Sequence, residues 1–109
     1  MSLDVCFWKR GSGESQNLYN AATEGEDSGF SPSAEVRAFR EEVIARWPDL
    51  KGCVEPLESD PLTGERFDIS RYILITIPLK LSGRYQSIVE LALSHGLTGY
   101  DPQTTEDIA

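Results

Sequence analysis

The chain has a single histidine, and it stands six residues ahead of an aspartate in "HGLTGYDPQ", residues 95–103. An imidazole working with a carboxylate is the acid–base pair of a small hydrolase or isomerase, so His95 with Asp101 is the catalytic reading. A structural reading competes with it. A histidine in the last turn of a helix meets the negative end of the dipole and can bond a free carbonyl, and Gly96 is the residue that stops such a helix. Covalent catalysis would need Ser94, Ser82 or a distant serine as nucleophile, and the chain has no nucleophile-elbow pattern. Zinc is poorly served, because one histidine with the separated Cys6 and Cys53 does not make a four-ligand set. In "EGEDSGFSPSAE", Glu24, Glu26, Ser28, Gly29 and Glu35 fall at places one, three, five, six and twelve of a calcium-loop template. The first place is Glu rather than Asp, Pro32 interrupts the ninth, and no helix clearly precedes the loop. A solvated acidic loop is expected instead. "GSGES" lacks the lysine of a phosphate loop, and no GxGxxG follows the first strand. No metal and no cofactor are expected, and binding is favoured over catalysis.

The residues that suit binding are Trp8, Tyr100, Asp101 and Gln103. Tyr100 offers an aromatic anchor, with Asp101 and Gln103 as polar groups beside it. The alternative is that Asp-Pro starts a turn and the whole segment closes the fold. Trp8 shares its strand face with Asp4 and Cys6, a place from which a tryptophan can anchor a partner.

These side chains need a scaffold. "LDVCFWKR" alternates, with Leu3, Val5 and Phe7 on one face and Asp4, Cys6 and Trp8 on the other, as in a strand with one buried face. Residues 11–33 read as a loop, with a short helical turn at "SQNLYNAA". Ser31 and Pro32 then mark the start of a helix. Its apolar stripe is Val36, Phe39, Val43 and Trp47, widened by Ile44, and Pro48 ends it. "DLKGCVEPLESDPLTGERFDIS" is irregular, with a short strand at Val54–Leu57 or Phe67–Ile69. "RYILITIPLKL" is an interior strand, with Ile73, Ile75, Ile77 and Leu79 on one face, until Pro78 interrupts its ladder. "RYQSIVELALSHG" is a second helix with Tyr85, Ile88, Val89 and Ala92 inward, and Leu97 folds back toward Leu91 or Ala92. "LTGYDPQ" is the final strand.

This order predicts an α+β fold, a ferredoxin-like (split βαβ) two-layer sandwich with two helices on one face of an antiparallel sheet. The other face, with Cys6 and Trp8, is left uncovered. Residues 1–103 form a single α/β domain and 104–109 a disordered tail. The hydrophobic fraction is 39%, enough for a core at this length. Eighteen acidic residues against ten basic ones give a net charge of −8, which repels nucleic acid and anionic membranes and favours a basic protein partner. No apolar run reaches a membrane-spanning length and the N-terminus has no signal layout, so a cytoplasmic protein with reduced thiols is expected.

The opening "MSLDVCFW", a middle helix ending "IARWPDL" and the closing "LALSHGLTGYDPQ" together resemble a large family of small bacterial single-domain proteins, mostly uncharacterised, that end in an HGL…YDPQ motif. The resemblance covers about the first ten residues, then 35–50 and 72–103, and implies a compact α/β domain. Some of these proteins look like immunity partners encoded beside contact-toxin genes, which implies an acidic binder of a basic toxin. Many relatives have a tryptophan soon after the long strand, where this chain has "PLKLSG", so a site built on that tryptophan would be altered here. The expectation is a non-enzymatic protein-binding module, with the enzyme using His95 and Asp101 as its alternative. Self-association through Trp8, most simply across a two-fold axis, competes with a heterologous partner for the uncovered face.

Overall fold

The computed structural model describes residues 2–11 and 13–108; Ala109 of the expected tail and Ser12 of "GSGES" lie outside them. The fold is α+β, with helices packed on a five-stranded antiparallel sheet. In chain order come β1 (Ser2–Lys9), α1 (Ser15–Thr23), α2 (Ala34–Arg46) and, after a 3-10 turn, the two-residue β2 (Val54–Glu55). β3 (Tyr72–Pro78) follows, then a second 3-10 turn, α3 (Tyr85–Ser94), β4 (Leu97–Asp101) and β5 (Glu106–Ile108). The sheet order is β2-β3-β1-β4-β5, so β1 and β3 lie side by side in the interior.

The register explains the two faces. Val5 lies opposite Ile75 and Phe7 opposite Ile73, which puts these four on one face. They pack with Val36, Phe39 and Val43 of α2 and with Ile88, Leu91 and Ala92 of α3. Cys6 lies opposite Leu74 and Trp8 opposite Tyr72, and Cys6 also faces Tyr100 of β4. These five sit on the second face, where they pack with Leu18 and Ala22 of α1 and with Phe30. Period-two alternation therefore serves two apolar layers, not one apolar and one wet layer.

That second layer overturns the expectation of an uncovered face. The nine-residue α1 is a full helix rather than a passing turn. The loop after it lays Phe30 across the sheet, with ring centroids 5.6 Å from Trp8 and 5.0 Å from Tyr72. Arg71 holds the loop down: its Nη1 donates to the Phe30 carbonyl at 2.8 Å while its Nε meets Asp68 at 2.9 Å. Trp8 is left only 3% exposed.

Smaller corrections concern boundaries. The cap of α2 is Ser33, not Ser31; its Oγ accepts from the Glu35 amide at 3.2 Å and its hydroxyl donates to the Glu35 carboxylate at 2.6 Å. Backbone bonding explains the shift, because the Ser33 amide is tied to the Ser70 carbonyl at 2.8 Å. Leu79 leaves the β3 face and is exposed, since the chain turns into a 3-10 helix there. Residues 106–108 of the expected tail form β5, with Gly99 opposite Ile108 and Asp101 opposite Glu106. Gly99 has to be glycine: a Cβ there would lie 2.5 Å from the Cys6 carbonyl oxygen and 2.7 Å from the Phe7 ring. Gly96 has φ +74, the left-handed cap expected after α3.

The second layer makes Trp8 a core residue. Trp8→Ala should lower the free energy of unfolding by about 3–5 kcal/mol in urea titrations. A loss below about 0.5 kcal/mol, the scale of surface substitutions, would return Trp8 to an open face.

Candidate functional site

The "HGLTGYDPQ" segment is built from α3 outward. The His95 amide closes the helix on the Leu91 and Ala92 carbonyls, and the Ser94 hydroxyl donates to the Leu91 carbonyl at 2.6 Å. The His95 ring packs edge-on against Phe39, and its Nε2 lies 3.2 Å from the Glu42 carboxylate, which also pairs with Arg46 at 2.8 Å. His95 thus ties the end of α3 to α2. Asp101 is the last residue of β4, about 13 Å of extended chain from Leu97 onward. His95 and Asp101 each have other partners, so the acid–base pair of the catalytic reading is not assembled.

Asp101 is the hub of the closing turn. One carboxylate oxygen accepts from the Tyr85 hydroxyl, and the other accepts from the Gln103 backbone amide at 2.9 Å and its side-chain amide at 2.6 Å. Burial and then this bond to Asp101 push the Tyr85 phenol above its ordinary range, so Tyr85 holds its proton. Gln103 completes the turn. Its Oε1 accepts from the Asp4 amide at 2.8 Å while its Nε2 donates to the Asp4 carbonyl at 2.9 Å. The pairing of Cys6 with Tyr100, continued by two residues, sets Asp4 opposite Pro102. Proline has no N–H to offer a ladder. The glutamine side chain supplies the missing donor and acceptor, in effect one more backbone pair.

The four residues expected to bind are therefore engaged within the fold. Trp8 and Tyr100 are buried, Tyr100 with its ring 5.5 Å from Tyr19. Asp101 and Gln103 bond to each other and to Tyr85 and Asp4. Of the calcium-template residues, Glu35 serves the α2 cap and lies 3.6 Å from Lys9. No group of three or more His, Cys, Asp or Glu among the described residues could hold a metal. Cys6 and Cys53 are unbridged, and burial pushes the Cys6 thiol up, away from the reactive thiolate. No helix among the described residues is long and apolar enough to cross a membrane.

Two features outside the motif hold chemistry that the fold does not itself use, one exposed and one buried. The first is the loop from Pro56 to Ser70. Asp60 organises its tip: its carboxylate accepts from the Leu62 amide at 2.7 Å and the Thr63 amide at 3.3 Å. Its backbone bonds Glu65 and Gly64, and Ser59 and Arg66 form a bridge below. This hydrogen-bonded tip holds Leu62 94% exposed, with Leu57 and Phe67 at 44% and 41%. Leu57 and Phe67 also line a 470 Å³ groove beside β2, with Val54, Pro56 and Tyr72. The sequence predicts turns here with a short strand at Val54–Leu57 or Phe67–Ile69; the strand is Val54–Glu55 alone, and "DPLTG" places a leucine at the tip of a turn, where solubility alone would favour a polar residue.

The second is Arg40, on the inward side of α2 and only 4% exposed. Its Nε and Nη1 are shielded from solvent and have no hydrogen-bond partner among the described residues. Each orphaned donor costs about 1–3 kcal/mol. The signal was present, since Arg40 lies four residues after Val36 and three before Val43, inside the apolar stripe.

If the closing turn is structural, Gln103→Ala should cost about 1–2 kcal/mol of unfolding free energy, for two lost bonds to Asp4 and one to Asp101. Chemical denaturation measures it. A neutral substitution would free Gln103 for a binding role. Among family models, curated proteins and solved structures, none matches this chain.

Proposed function

We propose that this chain is a non-enzymatic protein-binding module, an acidic immunity-type protein whose partner is basic. The observation that carries the reading is the Pro56–Ser70 loop, on which Leu57, Leu62 and Phe67 are held in water by backbone bonded into one shape. Apolar anchors fixed before binding lose little entropy when a partner covers them. Along the sequence Glu55, Glu58, Asp60, Glu65 and Asp68 outnumber Arg66, with Arg71 paired to Asp68, Arg37 beside Phe67 and Lys51 beside Leu57. An apolar centre inside a charged rim is the anatomy of an interface, and an acidic segment on a chain of net charge −8 favours a basic partner. A nuclease toxin, basic so as to hold its own substrate, has the complementary surface, and the resemblance carried by the closing motif points the same way.

The finer fold assignment belongs to the same proposal. The strand order β4-β1-β3-β2, with α2 and α3 in the two crossover connections, supports a ferredoxin-like split βαβ unit. To it β5 adds an edge strand and α1 a cover for the second face. Unbridged cysteines suit a reducing, cytoplasmic setting. A homodimer anchored on Trp8 is not proposed, because Trp8 lies beneath Phe30.

The immobilised chain, used to capture proteins from a lysate of its source cells, should retain a basic protein that raised salt releases. Leu62→Ser/Phe67→Ser changes only exposed side chains, so it should melt with wild type and lose roughly tenfold or more in affinity for that protein. Undiminished affinity in the double variant, or an acidic partner, would contradict the proposal.

A further inference from the structure

The shielded guanidinium of Arg40 forms part of the wall of a cavity of 290 Å³ between α2 and the start of the Pro56–Ser70 loop. Ile44, Leu57 and Pro61 give that wall an apolar side, and Lys51 and Ser59 stand with Arg40 on the polar side. Lys9, Arg37, Arg46, Arg71 and Arg84 each pair with a carboxylate. Arg40 has no carboxylate within 4.0 Å among the described residues, although it feels the charge of Glu58 nearby. Burial disfavours its charged form, as expected for a cation withdrawn from water without a counter-ion. A buried charge of this kind is stable only with a partner of opposite sign, and a guanidinium matches a planar oxyanion through two parallel N–H bonds.

We infer that the Arg40 cavity is a binding site for a small monocarboxylate with an apolar body. Arg40 and Lys51 carry two positive charges and Glu58 one negative, so the wall has a net charge of +1 and suits a monoanion better than a phosphate dianion. Nη2 is the one nitrogen of Arg40 that is not shielded without a partner, and so the donor it offers to a ligand. The carboxylate would take a bond from Nη2, with Lys51 as a second charge and the Ser59 hydroxyl as a further donor. Its alkyl part would lie on Ile44, Leu57 and Pro61. A volume near the lower limit for ligand pockets restricts the class to small molecules.

The test uses the intact chain with butyrate and, separately, inorganic phosphate, read by thermal shift and by NMR of arginine side-chain N–H groups. Butyrate should bind saturably, raise the melting temperature and shift the Arg40 Nε resonance, and phosphate should bind at least several-fold more weakly. Arg40→Met removes the charge without removing the bulk; it should keep the fold and lose at least tenfold in butyrate affinity. Lys51→Gln, at an exposed position, should fold as wild type and weaken binding several-fold. The proposal fails if butyrate does not saturate, if phosphate binds as well as butyrate, or if a folded Arg40→Met or Lys51→Gln variant binds like wild type.

Discussion

Four consecutive side chains of β1, Val5 to Trp8, are withdrawn from water. Successive side chains of a strand point to opposite faces, so this burial requires a cover on each face of the sheet. The first cover is supplied by α2 and α3, the second by α1 and Phe30. The rest of the structure follows from that requirement. The long connection between β1 and α2 exists to form the second cover, and Arg71 anchors that connection to the start of β3 through the Phe30 carbonyl.

The same constraint bears on where the proposed function can sit. With both faces filled, the aromatics that look available in the sequence are core, and the closing motif finishes the sheet. Pro102 ends the ladder opposite Asp4, and Gln103 restores the lost pair with its side chain. What the packing leaves outside is the segment between β2 and β3, too polar and too rich in turns to join the sheet. There a hydrogen-bonded turn exposes leucine, and its base roofs the cavity that Arg40 helps to line. The proposed binding surface and the buried cation thus flank one loop.

Much of the scaffold was legible in the sequence because period and punctuation agreed with it. The stripe Val36, Phe39, Val43 defined α2, the isoleucines of "YILITIP" defined β3, and Gly96 marked the end of α3. The second layer was not legible, because α1 has a short apolar stripe and Phe30 sits in a loop with no periodicity. Burial of Cys6 and Trp8 depends on those long-range contacts, which no local pattern encodes. The YDPQ turn was legible as a choice between closure and binding, and the partners of Asp101 and Gln103 within the fold were not. β5 was missed because three residues paired at an edge give too little pattern to separate from a tail. Arg40 was overlooked for the opposite reason: a charged residue in an amphipathic helix is assigned to water unless its angular position is counted.

The account rests on the claim that the chain covers its own second sheet face, and native-state amide hydrogen exchange tests this directly. The amides from Leu18 to Thr23 in α1, bonded one turn back along the helix, should be protected to nearly the same free energy as those of Val5 to Trp8 in β1, because both belong to one packed layer. If α1 exchanges as fast as an unstructured segment while β1 stays protected, the second face is open and the account is wrong.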